Sequence, residues 1–172
     1  MSLNRAILAG AVVALVWPLA RVGAQRTATT SLVVQVAPEA HLNPSQVELQ
    51  FVVSGDVAGD VTSQAAAIDA WVRVLPGQRI RLLAHIASLS GPSGAIPASA
   101  IRWSGSNTHA TWGGQTAVCA GGSFAGGASQ DLVAGWQRSG TLGCAVTFSL
   151  ADPRSLAAGV YTGVVDLALR AE

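Results

Sequence analysis

The residues closest to a catalytic pattern are Gly121-Gly122-Ser123-Phe124-Ala125, a near match to the G-x-S-x-G nucleophile elbow. That elbow works because a strained strand-to-helix turn exposes the serine above a parallel sheet. Neither a parallel-sheet pattern nor a following helix surrounds Ser123, so the stretch reads as a flexible loop. The same glycines lack the lysine and the βαβ unit of a phosphate cradle. Glu39, Glu48, Asp56, Asp60, Asp69 and Asp131 could in principle supply the paired carboxylates of a glycosidase. Their spacing is that of ordinary loop and strand-edge acids. His41, His85 and His109 are scattered, and neither H-x-x-x-H nor C-x-x-C spacing occurs with Cys119 or Cys144. The expectation is therefore no catalytic residue, no metal site and no cofactor.

Two residue types carry more information. Cys119 and Cys144 are the two cysteines of the chain. In an oxidising compartment they are expected to form a disulfide closing a loop of about 25 residues, which the chain-entropy estimate values at about 3 kcal/mol. Tryptophan is frequent for a chain with one tyrosine and three phenylalanines. Exposed indole rings stack on sugars and anchor protein interfaces, so Trp103, Trp112 and Trp136 are candidate binding residues. Trp71, beside Val72 and Val74, is assigned to the core.

The N-terminus bears on where this chemistry would take place. Asn4-Arg5, an apolar run from Ala6 to Ala20, Arg21 and the small residues Val22-Gly23-Ala24 form a signal-peptide pattern over 1–24, with Gln25 as the expected mature start. The run is shorter than a usual membrane span, and none is expected in the mature chain. The predicted location is the periplasm or the extracellular space. Net charge is +1, so no basic stripe is available for nucleic acid. Half the residues are apolar and 11% are charged, which excludes disorder and implies a weakly charged surface.

The elements that must position these residues are strands. Thr30–Val36 is a β-branched run. In Gln46–Ser54, Val47, Leu49, Phe51 and Val53 alternate with polar neighbours. Gly55 to Ala67 is a small-residue loop with a short helical turn at Ala65–Ala67. Trp71–Val74 is strand-like, Pro76-Gly77 a turn, and Arg79–Ser88 alternates again. Ile101–Ser104 and Ala110–Trp112 are predicted as two strands separated by Gly105-Ser106-Asn107. Cys119–Gln130 is loop and Leu132–Trp136 a strand, and Cys144–Leu150 alternates clearly. Asp152-Pro153 has the form of an N-cap with proline at N1, opening one helical turn that Gly159 ends. Tyr161, Val165, Leu167 and Leu169 then share one face of a closing strand. Roughly seven to nine strands with a turn signal about every ten residues predict one all-β sandwich over 25–172.

Leu156-Ala157-Ala158-Gly159-Val160-Tyr161-Thr162-Gly163-Val164-Val165 resembles the final corner and strand of bacterial secreted immunoglobulin-like domains, and is similar to the C-terminal strand of spore-coat-U-like and pilin-like proteins. The resemblance covers the last twenty or so residues. It implies an immunoglobulin-like antiparallel β-sandwich with Tyr161 as a structural corner residue. It also implies assembly in which a strand from a neighbour completes a sheet. Pilins place a disulfide early in the mature chain, whereas both cysteines here lie in its second half. The leading expectation is a non-catalytic exported structural or surface-assembly protein that contacts itself or another surface protein through an edge strand. Thr30–Val36 is the candidate donor, or else a strand paired at home. The alternative is a secreted carbohydrate- or protein-binding module using exposed tryptophans.

Overall fold

The computed structural model describes residues 36–55 and 59–172. The expected signal peptide over 1–24, and the Thr30–Val36 run as far as residue 35, lie outside the described residues. The described chain runs through β1 (Glu39–Asn43), β2 (Gln46–Val53), β3 (Val61–Thr62), β4 (Ala66–Arg73), β5 (Ile80–His85), β6 (Ser88–Gly91) and β7 (Gly94–Pro97). It continues through β8 (Ile101–Trp112), β9 (Val118–Cys119), β10 (Gly122–Ser123), β11 (Gln130–Asp131), β12 (Val133–Ala134), β13 (Gly140–Leu150) and β14 (Gly159–Ala171).

These strands form two antiparallel sheets packed face to face. The first is ordered β1-β4-β13-β8-β10, with β3 on β13 beyond the start of β4. The second is built on β14. Thr162 pairs with Gln50 of β2 on one side and Ser90 of β6 on the other, and Asp166 pairs likewise with Gln46 and with His85 of β5. β11 and β7 extend the β5–β6 side, and β9 pairs with β12 in a small separate ribbon.

Period-two alternation explains the layers, because successive side chains of a strand point to opposite faces. Leu49 and Phe51 of β2, Ile68 and Val72 of β4, Val146, Phe148 and Leu150 of β13, and Tyr161 and Val165 of β14 all enter one apolar core. Each such side chain contributes roughly 1.5–3 kcal/mol by leaving water. Phe124 bridges Trp103 and Phe148 there, with ring centroids at 4.8 and 6.4 Å. The expected disulfide is formed: Cys119 of β9 is bonded to Cys144 of β13.

Several local expectations are corrected. Ile101–Ser104 and Ala110–Trp112 are one strand, since β13 pairs along the whole of β8. A bulge absorbs the irregularity: Gly143 faces His109 and Cys144 faces Asn107, leaving Thr108 as the extra residue. Ala65–Ala67 is not helical, because Ala66 and Ala67 pair with Val146 and Ala145. Of Leu132–Trp136, only Val133–Ala134 pairs as strand; Gly135 (φ 79°) ends it and turns Trp136 inward. Asp152 makes no side-chain cap. It is left-handed (φ 45°, ψ 62°), and its Oδ1 accepts a 2.7 Å bond from Arg154 Nε. That hydrogen bond and the arginine's charge hold the carboxyl below the usual carboxylate range. The short 3-10 turn ends at Ser155, and Gly159 opens β14 instead of ending a helix.

Tyr161 is fully buried, and its hydroxyl lies 3.0 Å from Ala157 O and 2.8 Å from Ser93 Oγ, which itself accepts from Ala157 N–H at 2.7 Å. One arrangement satisfies all three groups: Tyr161 donates to Ala157 O while Ser93 donates to Tyr161. The ring lies over Gly91, where an added Cβ would come within 2.1 Å of Tyr161 Cδ1. Denaturant midpoints should therefore show Tyr161→Phe costing about 1 kcal/mol, Tyr161→Ala about 3 or more, and Gly91→Ala about 1–3 through overpacking. Wild-type midpoints for all three would refute this packing.

Candidate ligand-binding groove

The end of β8 is the most unusual piece of backbone in the described chain. Trp112 has φ 48° and ψ −121°, a conformation that favours glycine and strains a bulky residue. The cause is the close approach of the segments on either side. Trp112 faces Gly140 across the β8–β13 ladder, and a 3-10 turn, Gly113–Thr116, begins immediately after it. A Cβ on Gly113 would meet Arg138 Cβ at 2.4 Å, and one on Gly114 would meet Thr141 O at 2.0 Å. The backbone must pass there without side chains, and Trp112 absorbs the change of direction.

The surroundings fix this geometry. Gly113 N–H donates to Ser139 O at 3.1 Å, and Thr116 Oγ1 lies 3.0 Å from Gly113 O and 2.9 Å from Gly135 O. Further on, the Asn107 amide acts as a backbone surrogate for the open edge of β8. Its Nδ2 donates to Ala117 O and its Oδ1 accepts from Cys119 N–H, both at 2.7 Å. The disulfide then ties Cys119 to β13. The β4–β5 turn is pinned as well: Ser139 Oγ accepts from Val74 N–H at 3.0 Å, and Gln78 Oε1 accepts from Leu75 N–H at 3.0 Å.

Between these segments lies an open groove of about 1090 Å³. Trp112 is 75% exposed on it, beside Arg79, Gln115, Gln137 and Arg138. None of these four polar side chains bonds to another described side chain or to described backbone. A rigid frame with one free aromatic face and four uncommitted polar groups can stack on a flat apolar surface and hydrogen-bond its periphery.

The other candidate tryptophans are elsewhere. Trp103 (6% exposed) and Trp136 (1%) are core residues, corrected from binding candidates, and their ring N–H groups are spent on Ala120 O at 3.0 Å and Arg138 O at 2.9 Å. Trp71, assigned to the core from its neighbours, instead points outward from β4 and is half-buried, with the Arg73 guanidinium 5.2 Å above its ring. Strand parity decides this, because Val72 takes the inward position.

Candidate acids are dispersed. Asp131 holds Arg81 through two bonds of 2.7 and 2.8 Å, Asp60 faces Arg102 at 3.7 Å, and Asp69 faces His109 at 3.5 Å. Glu48 lies on the outer face of β2, Glu39 sits in β1, and Asp56 is outside the described residues. Ser123 lies in β10, opposite Arg102. Among the described residues no group of three or more His, Cys, Asp or Glu side chains is placed to hold a metal ion, and no helix is long and apolar enough to cross a membrane.

Nothing in the sequence spacing of Arg79, Gln115 and the Gln137-Arg138 pair marks them as neighbours in space. The available signal was Trp112-Gly113-Gly114, an aromatic residue ahead of two glycines. No family model, curated protein or solved structure matches the chain.

If Trp112 is kept for its ring, glycine at 112 should relieve backbone strain without opening a cavity. Trp112→Gly is expected to leave the thermal midpoint unchanged or raise stability by about 1 kcal/mol. A fall of 2 kcal/mol or more in a denaturant titration would make Trp112 a structural residue and remove the groove's main claim to binding.

Proposed function

We propose that this chain is an exported, non-catalytic binding module on an immunoglobulin-like sandwich, and that the Trp112 groove takes a carbohydrate. The observation that carries the reading is the exposed Trp112 ring at strained φ, held on a rigid groove. Strain of about 1–3 kcal/mol persists where surrounding structure over-determines it, typically at ligand sites. An indole face suits the C–H face of a pyranose ring. The amides of Gln115 and Gln137 offer both donors and acceptors, which ring hydroxyls need. Export is supported by the signal-peptide pattern and is compatible with the Cys119–Cys144 disulfide. The Tyr161 corner supports the immunoglobulin-like assignment, since that fold places a tyrosine hydroxyl against backbone a few residues upstream.

Native-gel affinity electrophoresis tests the reading with dextran, hydroxyethyl cellulose, polygalacturonate and heparin as probes. At least one should retard the wild type and not Trp112→Ala, with circular dichroism verifying the variant's fold. Equal mobility of both proteins in every gel would overturn it.

The surface-assembly reading keeps one observation of its own. Among the described residues β2 pairs only with β14, so its other edge is open, and Val52, Val160 and Val164 are exposed on the adjoining outer face. Open edges with apolar neighbours invite strand addition. Sedimentation of the wild type should then show concentration-dependent self-association that deletion of 25–36 abolishes while leaving a folded monomer. A monomer at all concentrations, or association unchanged by the deletion, would refute it.

A further inference from the structure

We infer that the ligand of the Trp112 groove is an acidic glycan, a sugar chain bearing carboxylate or sulfate groups; this rests on the groove being a sugar site. The charge distribution carries the inference. Net charge over the chain is only +1, so a local positive excess is not a by-product of a basic protein. Four of the seven described arginines have a partner. Arg81 pairs with Asp131 and Glu172, Arg102 with Asp60, Arg154 with Asp152, and Arg73 lies over Trp71. Arg79, Arg138 and Arg170 have neither an acidic nor an aromatic partner among the described residues, and two of these three line the one groove.

No Asp or Glu lines the groove. Glu172 exchanges backbone hydrogen bonds with Arg79, yet its side-chain carboxylate goes to Arg81 at 3.3 Å, and no described acidic side chain pairs with the Arg79 guanidinium. Two like charges on one concave surface are unfavourable in the empty protein, and an anion relieves that repulsion. Guanidinium forks bind planar carboxylate, and equally sulfate, through two parallel N–H···O bonds. Arg79 comes from the β4–β5 turn and Arg138 from the segment before β13, while Trp112 ends β8. An anionic group on a sugar stacked at Trp112 would therefore be addressed from two separately anchored segments. A neutral sugar would leave both charges without a counter-charge.

The test uses the disulfide-intact protein in affinity gels with polygalacturonate, heparin, dextran, hydroxyethyl cellulose and poly-glutamate. Polygalacturonate or heparin should retard the wild type far more than the two neutral polymers, and raised salt should weaken the effect. Arg79→Gln/Arg138→Gln should weaken that retardation at least tenfold, and Trp112→Ala should abolish it. Retardation by neutral polymers as strong as by acidic ones, unchanged in the double variant, would overturn the acidic preference and leave the sugar site standing. Retardation by poly-glutamate equal to that by the polysaccharides and dependent on Trp112 would make the partner an acidic polypeptide and overturn the inference. Polyanion binding that survives Trp112→Ala would place it outside the groove and overturn it too. Silence with every probe would remove both readings together.

Discussion

The pairing of β8 with β13 is the constraint on which the rest of the molecule depends. It runs through eleven residue pairs, from Leu150↔Ile101 to Gly140↔Trp112, with one bulge. At its first end the ladder sets Trp103 beside Phe148 and completes the aromatic part of the core. In the middle, the bulge at Thr108 brings His109 over Gly143, where a side chain would strike its ring at 2.2 Å. Asn107 then meets β9, and Cys119 reaches Cys144. At its last end the crowding of Gly113, Gly114 and Gly140 forces Trp112 out of line. Core, cross-link and groove are three consequences of one register.

That arrangement separates rigidity from exposure. The sandwich holds its apolar residues in one core, and among the described residues no buried side-chain nitrogen or oxygen lacks a hydrogen-bond partner. The groove sits where the sheet ends and its backbone is bonded to segments from three parts of the chain. A preformed groove of this kind would lose little conformational entropy on binding a ligand, because its frame is already ordered. The strain at Trp112 is small beside the summed burial of the core, so a fold of this size can carry it. The edge of β2 left unpaired among the described residues lies on the second sheet, and its use would not compete with the groove for the same residues.

The class of fold is legible in the order of residues alone. Alternation at Val47–Val53, Cys144–Leu150 and Tyr161–Leu169 could satisfy one buried face only as strands, and the buried faces are those the period predicts. The Cys119–Cys144 pair was equally legible, since a chain with two cysteines has one possible internal pairing. Local pattern failed where pairing partners override it. Gly105-Ser106-Asn107 looks like a break, yet a long partner strand carries it straight through, and Ala65–Ala67 is drawn into β4 by Val146 and Ala145. Exposure of the tryptophans also lay beyond the sequence. Trp103 and Trp112 have similar polar neighbours, but one is an inward position of β8 and the other is the last residue of the same strand, at its crowded end. The groove is the clearest case. Arg79, Trp112 and Arg138 are separated by more than two dozen residues at each step, and only the packing of two sheet ends makes them neighbours. Periodicity is a local property and survives in the sequence; adjacency between distant turns is decided by register, which is set by the whole ladder at once.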